Sequence, residues 1–110
     1  MTSEMNKASH AGATYVLTLF VTGQSARSQI AVANLRRLSD RLSGCELTIV
    51  DVLERPQLAE DEKILATPTV IRRWPLPLRR VIGDLSDAAK VMAWLDLPEA
   101  IALTNGEAGA

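Results

Sequence analysis

The junction between a helical segment and a strand at Pro68 constrains the fold most. Proline has no amide hydrogen to donate to a sheet ladder, so Pro68 is expected at the start or edge of a strand. Its ring also disfavours a helical conformation at Thr67. An acidic segment, 57–63, precedes this proline, and an apolar, β-branched segment, 69–72, follows it. The sequence therefore predicts a helix that ends before Pro68 and a strand that begins directly after it.

The first half of the chain has the pattern of a strand, a helix and a second strand. Residues 15–21 are almost continuously apolar, as in a strand that is covered on both faces. Ser25 is a favoured N-cap for a helix to about residue 42, and residues 45–52 form a β-branched second strand. Short links predict a βαβ unit with parallel strands. The buried stripe of the helix is predicted to consist of Ala31, Leu35, Leu38 and Leu42.

The second half predicts a hairpin and a last helix. Residues 69–72 and 79–82 are expected to pair as antiparallel strands, because the turn at 74–77 contains two prolines. Asp84 or Ser86 is expected to cap a helix that runs to about residue 96. The buried stripe of this helix is predicted to consist of Ala88, Val91, Met92 and Leu95.

The resulting element order is β-α-β-α-β-β-α, with a proline directly before the third strand. This order resembles the plan of a thioredoxin-like domain, and it predicts one α/β domain over residues 14–97. The polar residues 1–13 are expected to form a disordered N-terminal tail, and residues 98–110 a C-terminal tail.

Charge and hydropathy argue against two classes of partner. The formal net charge is −1, so the chain has no general attraction to nucleic acid or to anionic membranes. No apolar run approaches the roughly 20 residues of a membrane-spanning helix. The N-terminus has no apolar signal-peptide region, so we expect a cytoplasmic protein with no membrane and no nucleic-acid partner.

The cysteine and histidine counts argue against most catalytic chemistry. Cys45 and His10 are the only residues of their types, which leaves no internal disulfide, no His-based triad and no thiol metal cluster. Residues 23–28 lack the two cysteines that a thioredoxin carries at this position. An alternative is a glutathione-binding enzyme that uses Ser25 or Ser28 at a helix N-terminus, although Ser25 also suits a simple cap. We expect no cofactor and no metal.

Two groups of surface residues suggest contacts with other chains. Four arginines flank the 74–77 turn, and they predict either solvated hairpin ends, ion pairs with acidic surfaces in an oligomer or a nucleic-acid patch. The tryptophans lie where local pattern leaves them exposed, and tryptophan is enriched at interface hot spots. The arginines are Arg72, Arg73, Arg79 and Arg80. The predicted oligomer interface comprises Trp74, Arg79 and Trp94.

Three stretches closely resemble the KaiB family of circadian clock proteins. The longest runs from Asp51-Val52-Leu53-Glu54-Arg55-Pro56-Gln57-Leu58-Ala59-Glu60 through Lys63-Ile64-Leu65-Ala66-Thr67-Pro68-Thr69. The second is Ile82-Gly83-Asp84-Leu85-Ser86-Asp87, and the third combines Tyr15-Val16-Leu17 with Val21-Thr22-Gly23.

The resemblance implies a non-enzymatic regulator that binds a KaiC-type, RecA-like ATPase and modulates its phosphorylation and ATPase cycle. It implies a homo-oligomer, dimer or tetramer, and an alternative ground-state fold in which the second half reads β-α-α-β. An oligomer with no KaiC partner is a further possibility. The resemblance places partner binding at Leu53, Leu58, Asp61, Glu62 and Lys63. It places structural or fold-switching roles at Tyr15, Pro68, Gly83 and Asp84.

Overall fold

The structure, a computed structural model, describes residues 14–97. The predicted tails at 1–13 and 98–110 lie outside the described residues. Within the described part, the element order is the predicted β-α-β-α-β-β-α. The strands are β1 (Tyr15–Val21), β2 (Cys45–Asp51), β3 (Thr69–Trp74) and β4 (Arg79–Ile82). The helices are α1 (Ala26–Arg41), α2 (Pro56–Asp61) and α3 (Ala88–Trp94).

The four strands form one mixed sheet in the order β2-β1-β3-β4. β1 and β2 are parallel, with Leu17 opposite Leu47, as the predicted βαβ unit requires. β3 runs antiparallel to β1 with Thr69 opposite Phe20, and it pairs with β4 as the predicted hairpin. This mixed α/β arrangement confirms the predicted thioredoxin-like fold.

The main hydrophobic core lies on the face of the sheet that α1 and α3 cover. Alternate side chains of β1 point into this core, which also receives Val70 from β3 and Val81 from β4. The four predicted stripe residues of α1 are all buried there. Of the stripe predicted for α3, Val91, Met92 and Leu95 are buried, whereas Ala88 is exposed and the prediction for it is wrong.

Several predicted boundaries differ from the structure. The second strand ends at Asp51 and the third continues to Trp74. α2 spans Pro56–Asp61 and not 57–63, because Lys63 adopts a positive φ of 58° that breaks the helical path. The cap of α3 is Asp87, whose carboxylate accepts the amide hydrogen of Lys90. The predicted caps fail because the Asp84 carboxylate instead accepts the Ser86 amide two residues on, in a local turn.

Pro68 lies directly before β3, as predicted, and it is fully buried. The Thr67–Pro68, Trp74–Pro75 and Leu76–Pro77 peptide bonds are cis. The backbone oxygen of Pro68 accepts the amide hydrogen of Gly83 at 2.9 Å, so the entry to β3 is tied to the exit from β4.

Arg72 departs from the prediction that all four arginines occupy solvated or surface positions. Its side chain is 2% exposed and lies on the core face of β3. The guanidinium donates to the backbone oxygens of Leu95 and Pro77, both at 2.8 Å, and to that of Asp96 at 3.3 Å. Arg72 therefore links the hairpin turn to the C-terminal end of α3.

Candidate partner-binding surface

The connection from β2 to α2 is fixed by the carboxylate of Asp51. One of its oxygens accepts the amide hydrogens of Gly23 at 3.0 Å and Leu53 at 2.9 Å. Its backbone oxygen accepts those of Glu54 and Arg55. Gly23 has a φ of 50°, and a Cβ there would lie 3.2 Å from the Leu53 side chain, so glycine suits this position. The turn presents Leu53 to solvent with 67% of its surface exposed.

α2 is a short helix whose interior contacts are few. Pro56 occupies its first turn, where a missing amide hydrogen is harmless. Arg55 precedes the helix and makes no side-chain cap. Within the helix, the Gln57 amide donates to the exposed Asp61 carboxylate at 2.8 Å, and Leu58 is half-buried. A six-residue helix of this kind depends on contacts with the rest of the domain.

Two arginines of the β3–β4 hairpin hold the C-terminal end of α2 on the sheet face opposite α1 and α3. Arg73 forms an ion pair with Glu62 at 3.4 Å and donates to the Thr18 hydroxyl at 2.8 Å. Arg80 donates to the backbone oxygen of Glu62 at 2.6 Å and to that of Lys63 at 3.3 Å. The predicted acidic segment is therefore anchored at this end.

A shallow apolar groove lies beside this helix. Glu60 and Lys63 add opposite charges to its lining, and Leu65 is 93% exposed at its margin. The groove is lined by Val52, Pro56, Ala59, Glu60, Lys63, Ile64 and Leu65. We call the region formed by Leu53, Leu58, Asp61, Glu62, Lys63 and Leu65 the α2 surface.

The five predicted partner-binding residues lie on α2 or in the segments directly before and after it. Leu53, Asp61 and Lys63 are exposed, whereas Leu58 and Glu62 are partly buried. Leu65 is not among the residues that the sequence predicted. The sequence nevertheless indicates its exposure. Leu65 lies three residues before the proline that precedes β3, in a segment too short to form another element that would bury its side chain.

The four residues predicted to have structural or fold-switching roles lie at the ends of strands. Tyr15 begins β1 and packs against the core, and Pro68 precedes β3. Gly83 follows β4 with a φ of 131°, a conformation that a side chain would strain. Hydrogen bonds from Ser86 hold the pKa of Asp84 below its usual value. Their proposed roles in fold switching stay predictions.

The three predicted oligomer-interface residues lie at the ends of three different elements. Trp74 is the last residue of β3 and is 47% exposed, and Arg79 begins β4 and is exposed. Trp94 ends α3 and is 53% exposed, with the Lys90 ammonium 5.8 Å from its ring centroid. The predicted exposure of both tryptophans is confirmed, and their role in an interface stays a prediction.

The hydroxyl groups at the start of α1 have intramolecular partners. The Ser25 hydroxyl accepts the Ser28 amide hydrogen at 3.2 Å, which makes Ser25 the predicted cap. The Ser28 hydroxyl is buried and accepts the Thr22 amide hydrogen at 3.0 Å.

Burial, and secondarily the charge of Glu46, raises the pKa of Cys45 to about 11, so this thiol is protonated near neutral pH. No helix of residues 14–97 has both the length and the apolarity needed to cross a membrane.

Comparison with known proteins identifies relatives across most of the chain. A model of the KaiB domain matches residues 18–97. The circadian clock protein KaiB3 of Synechocystis sp. is 49% identical over 89 residues, which cover 78% of this chain and 87% of the relative. The circadian clock oscillator protein KaiB of Synechococcus elongatus is 49% identical over 86 residues, covering 76% of this chain and 84% of the relative.

Solved structures place the fold among thioredoxin-like domains. The N-terminal domain of Synechococcus elongatus SasA aligns with a TM-score of 0.62 at 26% identity, covering 76% of this chain and 84% of that one. Mitochondrial thioredoxin 3 of Saccharomyces cerevisiae aligns with a TM-score of 0.67 at 18% identity, covering 86% and 90%, which supports the fold alone. Because the domain model and the relatives agree over three quarters of its length, this chain belongs to the KaiB family.

Proposed function

We propose that this protein is a non-enzymatic clock regulator that binds a KaiC-type, RecA-like ATPase and modulates its phosphorylation and ATPase cycle. Membership of the KaiB family supports a clock or related timing or stress role, since the similar relatives carry circadian clock names. We also propose that it acts in the cytoplasm.

The observation that carries this proposal is the composition of the α2 surface. Leu53 and Leu65 expose large apolar side chains, and Asp61 and Lys63 provide charges of both signs beside them. Exposed apolar side chains within a polar rim are typical of protein-binding surfaces. The hydrogen bonds of Asp51 and Arg80 hold both ends of this region, which reduces the entropy lost on binding.

We propose in addition that the chain forms a homo-oligomer through Trp74, Arg79 and Trp94, and that its second half can adopt the β-α-α-β arrangement. Family membership and the exposure of both tryptophans support the first proposal. The second rests on family membership and on a second half that is short and interrupted by prolines.

The test is a binding experiment with the KaiC-type ATPase of the same organism. We would mix the two proteins with ATP or with ADP, incubate them for hours, and measure complex mass by gel filtration with light scattering. We expect a slowly formed, nucleotide-dependent complex, and we expect Leu53→Ser to weaken it about tenfold as a hot-spot truncation.

Ile30→Ser provides the matched control, because Ile30 is also an exposed large apolar residue but lies on α1. Its complex should have the affinity of the unaltered chain. If no complex forms with ATP or with ADP, the proposed function is wrong. If Leu53→Ser and Ile30→Ser lose the same affinity, the assignment to the α2 surface is wrong.

A further inference from the structure

Arg80 makes a backbone contact that neither the sequence nor the family assignment explains. From β4, its guanidinium donates to the backbone oxygens of Glu62 and Lys63, immediately after α2. The last carbonyl groups of a helix have no partner within the helix, and they carry its partial negative charge. A guanidinium supplies two donors in a fixed geometry and a positive charge, so it suits this position.

The length of α2 makes this contact important for the neighbouring surface. The helix has six residues and none of them is fully buried, so it depends on the few tertiary contacts that it makes. Three amides mark its C-terminal end: Glu62 donates to Leu58, Lys63 to Glu60 and Ile64 to Ala59. Arg80 binds the oxygens of two residues of this turn and thereby ties it to the sheet.

Arg72 makes the same type of contact, from a guanidinium to backbone oxygens, on the opposite face of the hairpin. It donates to the backbone oxygens of Leu95 and Asp96 at the C-terminal end of α3. Because Arg72 is buried and Arg80 is exposed, the first contact belongs to the core and the second can open without exposing the core.

We propose that Arg80 is a positioning residue for the α2 surface. It keeps the C-terminal end of α2 in the orientation that presents Lys63 and the adjoining groove, and thereby sets the fraction of molecules that are competent to bind. Apparent affinity falls in proportion to that fraction. The binding half of this inference rests on the proposed function, and the positioning half does not.

The positioning half is tested on the protein alone, by site-resolved amide hydrogen exchange of Arg80→Ala, Arg80→Lys and Arg36→Ala. We expect Arg80→Ala to speed exchange at the Glu62, Lys63 and Ile64 amides about tenfold. Loss of a charge-assisted hydrogen bond lowers the free energy of local opening by an amount that corresponds to about this factor in rate. Amides of β1 should keep their rates. Arg36→Ala removes the same charge from an exposed arginine on α1, and it should leave these exchange rates unchanged.

The binding half is tested by titrating the same variants against the KaiC-type ATPase. Arg80→Ala should raise the dissociation constant about tenfold, while Arg36→Ala should stay within about twofold of the unaltered chain. Arg80→Lys keeps the charge and should recover part of both effects. A merely structural role would instead speed exchange throughout the sheet and give no recovery with lysine.

The outcomes separate the two proposals. If the unaltered chain binds and Arg80→Ala binds equally well, or if its α2 amides exchange as before, the positioning role is wrong. If the unaltered chain does not bind, the proposed function fails and the binding half falls with it, while the exchange result still decides the positioning half. Should Arg80→Ala not fold, judged by circular dichroism, Arg80→Lys and Arg80→Gln decide each point by the same comparison with Arg36→Ala.

Discussion

Arg72 is buried among apolar side chains, and its guanidinium donates to three backbone oxygens. The ion pair with the exposed Asp96 carboxylate, at 3.9 Å, adds little because exposed partners are screened. The Nε atom of Arg72 has no hydrogen-bond partner among the described residues. The contribution of this side chain to stability therefore comes from the carbonyl groups that it satisfies, on the hairpin turn and on α3.

Arg72→Met should lower the free energy of unfolding by about 3 kcal/mol, because it leaves buried carbonyl groups without donors. Methionine keeps much of the volume, so the loss reports mainly on hydrogen bonds. Urea unfolding followed by circular dichroism measures it. Arg36→Met, at an exposed position of α1, is the control and should shift stability by less than about 0.5 kcal/mol. A similarly small effect at Arg72 would contradict the role described here.

Cys45 gives the chain a pH dependence at the alkaline end. Burial raises the pKa of its thiol from 9.0 to about 11. The folded state then binds the proton more tightly than the unfolded state, so the associated stability is full below pH 9 and is lost as the pH rises through 11. We expect the difference in unfolding free energy between the unaltered chain and Cys45→Ala to shrink over this interval.

Equilibrium unfolding at several pH values between 8 and 11 checks this prediction, since the comparison with Cys45→Ala cancels the titration of other groups. A difference that stays constant with pH would show that the thiol has the same pKa in both states. As an independent measurement, a thiol reagent at pH 8 should react at least about tenfold more slowly with the folded chain than with the chain in urea.

At the scale of elements, α3 begins one residue after an unexpected cap. Three candidates, Asp84, Ser86 and Asp87, fall within four residues, and each type is a favoured N-cap. Leu85 adopts a positive φ of 64°, so the Asp84 carboxylate turns to the Ser86 amide and the helix starts only after Asp87.

Asp87→Ala should therefore destabilise the domain by about 1 kcal/mol, the usual effect of losing an N-cap, and the helical signal of α3 should weaken. Ser86→Ala is the matched control, one residue earlier, and should change the unfolding free energy by less than half as much. Thermal unfolding by circular dichroism compares them. If Ser86→Ala has the larger effect, the helix begins where the sequence alone suggested.

The strands and α1 follow from sequence because their signals are local. The continuous apolar run of β1 and the stripe of α1 predict elements that the structure confirms to within one or two residues. The end of α2 could not be predicted, since it depends on a positive φ at Lys63 and on an arginine 17 residues away in the chain. The burial of Arg72 likewise depends on oxygens of α3 that become close only after folding.

For the candidate site, the family resemblance gave the residues, and the structure gives the hydrogen bonds that hold the segments carrying them in place. No periodicity distinguishes Leu53 or Lys63 from other exposed side chains. The carboxylate of Asp51, which orients the β2–α2 turn, was visible in the sequence as an acidic residue at the end of a strand, yet its two amide partners come from separate loops. Such supporting contacts are tertiary, so one sequence does not contain a local signal for them.

At the scale of the whole molecule, the proposed role of the two tryptophans in an oligomer can be tested by measuring self-association. Trp74→Ala and Trp94→Ala should each reduce self-association, by about tenfold or more in the dissociation constant if the residue is a hot spot. Analytical ultracentrifugation over a range of concentrations measures this. Ile30→Ala, an exposed apolar residue on α1, is the control and should leave the assembly unchanged. A chain that stays monomeric at high concentration would contradict the proposal.

The position of β3 in the sheet has a consequence for how the two halves of the chain are joined. β1 pairs with β2 over seven residues, and both belong to the first half. Within residues 14–97, the sheet connects this half to the second through one ladder, from Val16 opposite Trp74 to Phe20 opposite Thr69. Opening the five residue pairs of this ladder would separate the hairpin from β1 while leaving the βαβ unit paired. The proposed β-α-α-β arrangement of the second half therefore requires these five pairs to open, and it leaves the pairing of β1 with β2 intact.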